Sequence, residues 1–198
     1  RLSRLELPNT KVKLMERLLR QVIRAFQRVN KIKAIDFTKR LNELIDRYND
    51  RRDSVAFADD VVTEVAHQMT ELLKSLHAEK NSFATMGITY EEKAFYDILK
   101  MIAQQFGFDY PEDKLLSLAA RIKSLVDDKS RYTDWATRGD IKAELKMDLI
   151  VVLAEYEYPP VTNDAVFKEI LEQAENFKRS QDKATWVRQS IISFLLLR

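Results

Sequence analysis

The sequence predicts an all-α protein, and three observations lead to that class. Glycine occurs three times and proline four times in 198 residues, far below the usage of turn-rich β proteins. Apolar residues make up 45% of the chain and charged residues 32%, the balance of a globular protein. Apolar residues also recur at three- and four-residue spacing, as on amphipathic helices. We predict a compact, bundle-like domain of seven or eight helices.

The first three helices follow from this spacing and from capping residues. One is predicted over residues 10 to 31, and Asp36 or Thr38 could cap a second. A third is predicted from Ser54 to about residue 80, followed by a loop over 81 to 88. The apolar stripe of the first helix consists of Met15, Leu18, Leu19, Val22, Phe26 and Val29.

Two further helices have clear end signals. Thr89 followed by Glu92 is a capping box, in which each side chain can bond an unpaired amide of the first turn. Gly107 is placed to end that helix, and Pro111 suits the first turn of the next.

The remaining helices are predicted from Thr133 onward. Thr133 or Asp134 would cap a helix that the prolines at 159 and 160 end, and Trp135 and Leu145 would pack inward. Two more helices are predicted over 163 to 180 and 184 to 197.

Charge is distributed unevenly along the chain. The net charge is +2, but residues 1 to 52 contain 15 Lys and Arg against 6 Asp and Glu, a net +9. The remaining 18 basic and 25 acidic residues give the rest a net −7. We therefore predict a basic helical arm over 1 to 52 packed on a helical body over 53 to 180, with a C-terminal helix or tail over 181 to 198.

Composition also indicates the compartment. The chain has no cysteine, no apolar run of about 20 residues and no signal peptide, so we expect a cytoplasmic protein without a membrane segment. Because the sequence begins at Arg1 without an initiator methionine, we expect it to be part of a longer protein.

One stretch, TDWATRGDIKAELKMDLI at 133 to 150, contains residue types found in metal-dependent nucleases. Asp134 precedes Glu144 and Lys146, and two carboxylates with a lysine can hold a cation and steady developing charge. On one helix, however, Asp134 and Glu144 would lie about 15 Å apart, too far to share a metal. The nuclease interpretation is therefore rejected.

Other catalytic signals are absent from the sequence. The scattered glycines form no phosphate loop, and His67 and His77 are ten residues apart rather than at metal-ligand spacing. We predict no catalytic, cofactor-binding or metal-binding residue and no small-molecule substrate for this chain.

The basic arm is the stronger candidate site. Six cations from Lys13 to Lys31 are spaced 4, 3, 4, 4 and 3, which would place them in one row opposite the apolar stripe. Such a row could meet DNA phosphates, an acidic protein partner or only solvent. The predicted DNA-binding residues are Lys13, Arg17, Arg20, Arg24, Arg28, Lys31, Arg40, Arg47, Arg51 and Arg52.

Three segments together resemble one family. They are IDRYNDRR at 45 to 52, GITYEEKAFYDIL at 87 to 99, and TDWATRGDIKAELKMDLIVVLAEYEYPP at 133 to 160. In order and spacing they are similar to the C-terminal helical domain of the endonuclease, or motor, subunit of type I restriction enzymes. The chain departs from the family pattern at Glu144, where a basic residue is common, and at Glu157, where glycine is usual.

The resemblance implies a division of labour in a longer subunit. Nuclease and ATP-driven DNA translocase domains would lie upstream and use ATP and Mg²⁺, with no cofactor in this fragment. The helical C-terminal region would dock the motor on the methyltransferase and specificity subunits and contact double-stranded DNA. Arg138, Lys142 and Lys146 would form an exposed row available to that partner. The alternatives are a pure protein-docking module without DNA affinity and an unrelated helical scaffold.

Overall fold

A computed structural model describes residues 8–50, 58–131, 135, 137–159 and 164–177. This part of the chain contains seven helices and no strand, so the all-α prediction is confirmed. The helices are α1 (Pro8–Gln27), α2 (Lys31–Asp50), α3 (Ala58–Thr85), α4 (Tyr90–Phe106), α5 (Glu112–Ser130), α6 (Gly139–Glu155) and α7 (164–177). None of the described helices has both the length and the apolar composition needed to cross a bilayer.

The chain divides into two compact units. The first comprises Arg1–Gln27 and Lys31–Gly87, and the second comprises Arg28–Asn30 and Ile88–Arg198. The boundaries predicted near residues 52 and 180 fall beside stretches outside the described residues, so the predicted division into arm, body and tail stays a prediction.

The first unit is a bundle of three helices, α1, α2 and α3, each packed on the other two. Its core joins the apolar stripes of all three, and Phe26 meets Phe37 edge to face at a centroid distance of 6.3 Å. Its fully buried side chains include Val12, Met15, Leu19, Leu41, Val65, Met69 and Leu76. Burial of these stripes is what stabilises helices of this length.

Two predicted helix limits in this unit are wrong. Helix α2 begins at Lys31, so Asp36 and Thr38 lie inside it, and the Thr38 hydroxyl donates to the Ala34 carbonyl at 2.7 Å. Helix α3 continues through residues 81 to 85, which were predicted as loop. The polar side chains there bond to carbonyls of the preceding turn, as Ser82 does to Glu79 at 2.8 Å, and so remain compatible with the helix.

In the second unit, α4 packs on α5 and α5 packs on α6. The predicted capping box of α4 is confirmed: the Glu92 amide donates to the Thr89 hydroxyl at 3.2 Å, and the Thr89 amide donates to the Glu92 carboxylate at 2.7 Å. Pro111 lies one residue before α5 rather than in its first turn, and its carbonyl accepts the Leu115 amide at 2.9 Å.

Helices α4 and α6 end in the same manner. Gly107 is left-handed with φ 69°, and the Phe108 amide donates back to the Ala103 carbonyl at 3.1 Å. In α6, Glu157 is left-handed with φ 54°, and the Tyr158 amide donates to the Leu153 carbonyl at 2.9 Å. Both ends are Schellman motifs, which satisfy carbonyls left unpaired at the helix terminus.

The residues that follow the two left-handed positions pack on each other. The ring centroids of Phe108 and Tyr158 lie 5.4 Å apart in an edge-on contact, and those of Tyr110 and Tyr158 lie 5.1 Å apart. The buried Tyr158 hydroxyl donates to the Leu99 carbonyl of α4 at 2.8 Å. Ring packing and this hydrogen bond therefore connect the C-terminal ends of α4 and α6.

The predicted start of α6 is wrong. The helix begins at Gly139, with Trp135 in the preceding turn, where its carbonyl accepts the Arg138 amide at 3.2 Å. On a continuous helix Trp135 would share a face with Lys142, seven residues on, at the margin of the core. The turn instead buries Trp135 completely, at 0% exposure, so its predicted packing role is confirmed. Asp134, the predicted cap, lies outside the described residues.

Candidate functional site

The outer face of α1 carries a short row of open cations. Lys13, Arg17 and Arg24 are exposed, and in the part of the chain that is described none of them forms an ion pair. Arg20 lies between them and is held by the Glu16 carboxylate at 2.9 Å. Because the opposite face of α1 is buried, the four cations project to one side over about 16 Å, at 1.5 Å per residue.

The row is shorter than the sequence predicted, because α1 ends at Gln27. Arg28 lies in the turn that follows and is exposed, while Lys31 is the first residue of α2. Two contacts within the second unit hold this turn: the Asn30 side chain donates to the Asp97 carboxylate at 2.6 Å, and Gln173 donates to the Val29 carbonyl at 3.1 Å. The prediction of six cations on one helix is therefore corrected to four.

The predicted cations of α2 have partners in the first unit. Arg40 lies 5.2 Å from the centre of the Phe37 ring and 3.9 Å from the Asp36 carboxylate. Arg47 donates to the Gln68 side chain of α3 at 2.8 Å. The other two predicted DNA-binding residues, Arg51 and Arg52, lie outside the described residues.

The predicted partner row on α6 is paired within the chain. Arg138 bonds Asp140, Lys142 bonds Glu175 of α7 at 2.7 Å, and Lys146 bonds Asp164 at 2.8 Å. The two lysines thus connect α6 to α7. The Arg138 guanidinium holds the pKa of the Asp140 carboxyl below its usual value. A partner that used these three cations would have to compete with carboxylates already in place.

Helix α6 has a second face that the sequence analysis did not single out. Exposed side chains on the side away from the core include Met147 at 62% and Val151 at 53% exposure, together with Ile150. The sequence signal for this exposed apolar face is the unbroken apolar run LIVVL at 149 to 153, which is too long for one buried stripe. Helix α6 is therefore apolar on two opposite faces.

The described residues contain no group of three or more His, Asp or Glu side chains able to hold a metal ion. Glu144, one of the acids that suggested a nuclease, bonds Lys129 at 2.7 Å, and Asp148 bonds the same ammonium at 3.0 Å. These two carboxylates raise the pKa of Lys129 above its ordinary value. Glu144 thus takes part in an ion-pair cluster on the side of α6.

A family model described as "Type I restriction enzyme HindI endonuclease subunit-like, C-terminal" matches residues 1–180. The chain belongs to this family. The resemblance inferred from the three sequence segments is thereby confirmed.

Two curated relatives carry type I restriction names. The Type I restriction enzyme HindI endonuclease subunit of Haemophilus influenzae is 27% identical over 167 residues, which cover 84% of this chain and 15% of the relative. The Putative type I restriction enzyme MjaIXP endonuclease subunit of Methanocaldococcus jannaschii is 24% identical over 143 residues, 69% of this chain and 12% of the relative. The chain thus matches a small fraction of each subunit, and no solved structure matches it.

In this member of the type I restriction endonuclease C-terminal family, the family-like segment at 87 to 99 builds the start of α4. Thr89 and Glu92 form its cap, whereas Phe95 and Leu99 are fully buried. The Asp97 carboxylate, from the same segment, accepts hydrogen bonds from both the Lys93 ammonium and the Asn30 side-chain amide. The described residues of this segment are therefore explained by helix capping and packing.

Proposed function

We propose that the chain is the helical C-terminal domain of a type I restriction motor and endonuclease subunit. In this role it docks the subunit on the methyltransferase and specificity subunits. It also contacts double-stranded DNA without sequence preference. The observation that carries the DNA contact is the open row on α1, where Lys13, Arg17 and Arg24 are exposed without ion pairs in the described chain. Arginine suits this role because its planar guanidinium can bond a phosphate at two points.

Family membership supports the docking part of the proposal. The named relatives are endonuclease subunits several times longer than this chain. Nuclease and ATP-driven translocase domains would lie in the remainder of the parent subunit, with ATP and Mg²⁺ bound there, and the complex would work in the cytoplasm. The described residues offer no metal-ligand group, and we assign this chain no catalytic step.

The DNA contact is tested by titrating the chain into a fluorescent random-sequence duplex of about 30 base pairs, a length chosen to exceed a binding site of several phosphates. Fluorescence anisotropy is followed at several salt concentrations. Each neutralised phosphate contributes about −0.9 to the slope of log affinity against log salt, so Lys13, Arg17 and Arg24 together predict a slope of about −2.7. A duplex of different sequence should bind equally well, because phosphate contacts carry no base information.

A pair of matched charge reversals assigns the contact to α1. Arg17→Glu with Arg24→Glu should reduce affinity at least tenfold and flatten the salt slope. Arg121→Glu with Lys168→Glu makes the same change in net charge at exposed positions of α5 and α7 and should bind nearly as the parent does. Equal losses in both variants would mean that only net charge matters. Absence of binding at low salt would leave docking as the function of the domain.

A further inference from the structure

The exposed side of α6 carries an apolar stripe with the spacing of a helix-packing seam. Ala143, Met147, Ile150 and Ala154 are exposed and are spaced 4, 3 and 4, with Val151 beside them. Residues at this spacing form one line along a helix, and alternating steps of three and four residues characterise helices that pack lengthwise on another helix. The small residues at the two ends would let a neighbouring helix approach closely. The large residues between them would supply the apolar contact area.

The stripe lies opposite the buried face of α6, where Leu145, Leu149 and Val152 are at most 3% exposed. It continues into an open cleft of about 310 Å³ lined by Ile150, Ala154 and, from beyond the helix, Pro159 and Phe167. A helix that is apolar on both faces is normally covered on both, and clustered exposed apolar side chains indicate an interaction surface.

The charges beside the stripe indicate what could cover it. Glu144, Asp148 and Glu155 lie along one edge at spacings of four and seven residues. Lys129 alone neutralises the first two, and Glu155 has no ion pair within the described chain. This edge therefore has an excess of negative charge, which favours an occupant with basic side chains at the matching position.

The edges of α6 disfavour a second copy of the chain as the occupant. An antiparallel pair of α6 helices related by a two-fold axis would bring the acidic edges of both copies together. A parallel pair would place the acidic edge beside Lys142 and Lys146, which already bond Glu175 and Asp164.

From this geometry we propose that the outer stripe of α6 is the docking site for an amphipathic helix of another protein, which presents apolar side chains at three- and four-residue spacing and Lys or Arg along one edge. This inference rests on the proposed docking function and locates it on the apolar face rather than on the paired cations of the same helix.

Oxidation of methionine tests the proposal in the intact chain. Met147 is exposed, whereas Met15 and Met69 are at most 2% exposed and serve as internal controls. With dilute peroxide and mass spectrometry, Met147 should be oxidised first in the free chain. It should become protected when the purified methyltransferase–specificity complex of the same restriction system is added as the probe.

Each other outcome overturns the inference in a distinguishable way. Slow oxidation of Met147 in the free monomer would mean that another segment of this chain covers the stripe. Protection that rises with chain concentration, together with dimers in analytical ultracentrifugation, would assign the stripe to a second copy. Binding of the probe without protection of Met147 would place docking elsewhere and leave the proposed function standing. Failure of the probe to bind would overturn both.

Substitutions provide an independent measurement. Met147→Lys and Val151→Lys should each weaken binding of the probe at least about tenfold, because each places a charge at the centre of an apolar contact. Ile35→Lys, at a 53% exposed position of α2, makes the same chemical change and should bind as the parent does. Glu155→Lys should weaken binding several-fold, and more at low salt than at high salt. Circular dichroism verifies that each variant is folded. Equal binding of the probe by the Met147→Lys variant and the Ile35→Lys control would overturn the proposal.

Discussion

At the scale of single residues, the second unit contains a buried ion pair. Lys93 and Asp97 are 7% and 4% exposed, one helical turn apart on α4, and the ammonium lies 2.6 and 2.7 Å from the two carboxylate oxygens. Asn30 donates to the same carboxylate, and the Lys93 ammonium also lies 5.6 Å from the centre of the Tyr96 ring. Burying such a pair is costly, so its partners depend strongly on one another.

We expect Asp97→Ala to lower the free energy of unfolding by about 3 to 5 kcal/mol, because it leaves the Lys93 ammonium buried without its carboxylate. Lys93→Met combined with Asp97→Leu should cost less than the single change, since no uncompensated charge remains. Urea denaturation of the parent, Lys93→Met, Asp97→Leu and the double variant measures the coupling. Strictly additive costs would contradict the assignment of a coupled pair.

At the scale of the element, helices α4 and α6 share one type of C-terminal cap but use different residues for it. Gly107 occupies the left-handed position of α4 without strain, whereas Glu157 occupies that position in α6 with a φ of 54°. Lys114 bonds the Glu157 carboxylate at 2.8 Å, although both side chains are well exposed. Lys114 also holds the pKa of Glu157 below its ordinary value.

Glu157→Gly should therefore raise the free energy of unfolding by about 0.5 to 1 kcal/mol, because relief of the left-handed strain exceeds the value of an exposed ion pair. Gly107→Ala should lower it by about 1 kcal/mol, since the added methyl group meets no atom within 4 Å and only the backbone conformation resists it. Thermal unfolding followed by circular dichroism compares the two. Lys114→Ala is the control for loss of the ion pair alone, and a destabilised Glu157→Gly variant would show that the pair outweighs the strain.

At the scale of the whole molecule, buried tyrosine should limit stability at alkaline pH. Burial raises the pKa of Tyr158 well above its usual value of 10.0, with the nearby Tyr110 hydroxyl contributing. Burial also raises the pKa of Tyr90, Tyr96 and Tyr110. Above pH 10 the unfolded chain releases these protons while the folded chain retains them. The resulting contribution to stability is complete below the unfolded pKa and is lost as the pH rises towards the folded values.

We expect the free energy of unfolding, measured in urea between pH 8 and about pH 11, to fall once the pH passes the tyrosine pKa of the unfolded chain, about 10. Tyr158→Phe should weaken this fall and should cost about 1 kcal/mol at neutral pH through loss of the hydrogen bond to Leu99. Tyr156→Phe, a half-buried neighbour, should retain the alkaline loss. An unchanged pH profile in the Tyr158 variant would contradict the assignment.

Local signals in the sequence determined the fold class and many of the helices. The apolar stripes required helices, and the Thr89–Glu92 box and Gly107 set the limits of α4, because capping depends on residues within one turn of each other. Three segments were sufficient to indicate the family that residues 1–180 match. The excess of basic residues in the first 52 positions was likewise visible in the sequence alone.

Other features depended on contacts between residues distant in sequence. The turn that ends α1 is held by Asp97 and Gln173, which lie 67 and 144 residues from their partners Asn30 and Val29. The cations of α6 find carboxylates on α7, and the apolar run at 149 to 153 has one side buried and the other exposed. The sequence by itself determined the fold class, many of the helical segments and where charge is concentrated. Only the tertiary structure decided which charges stay exposed without ion pairs, and which apolar face stays exposed, among the described residues, because packing partners far along the chain set the burial of each side chain.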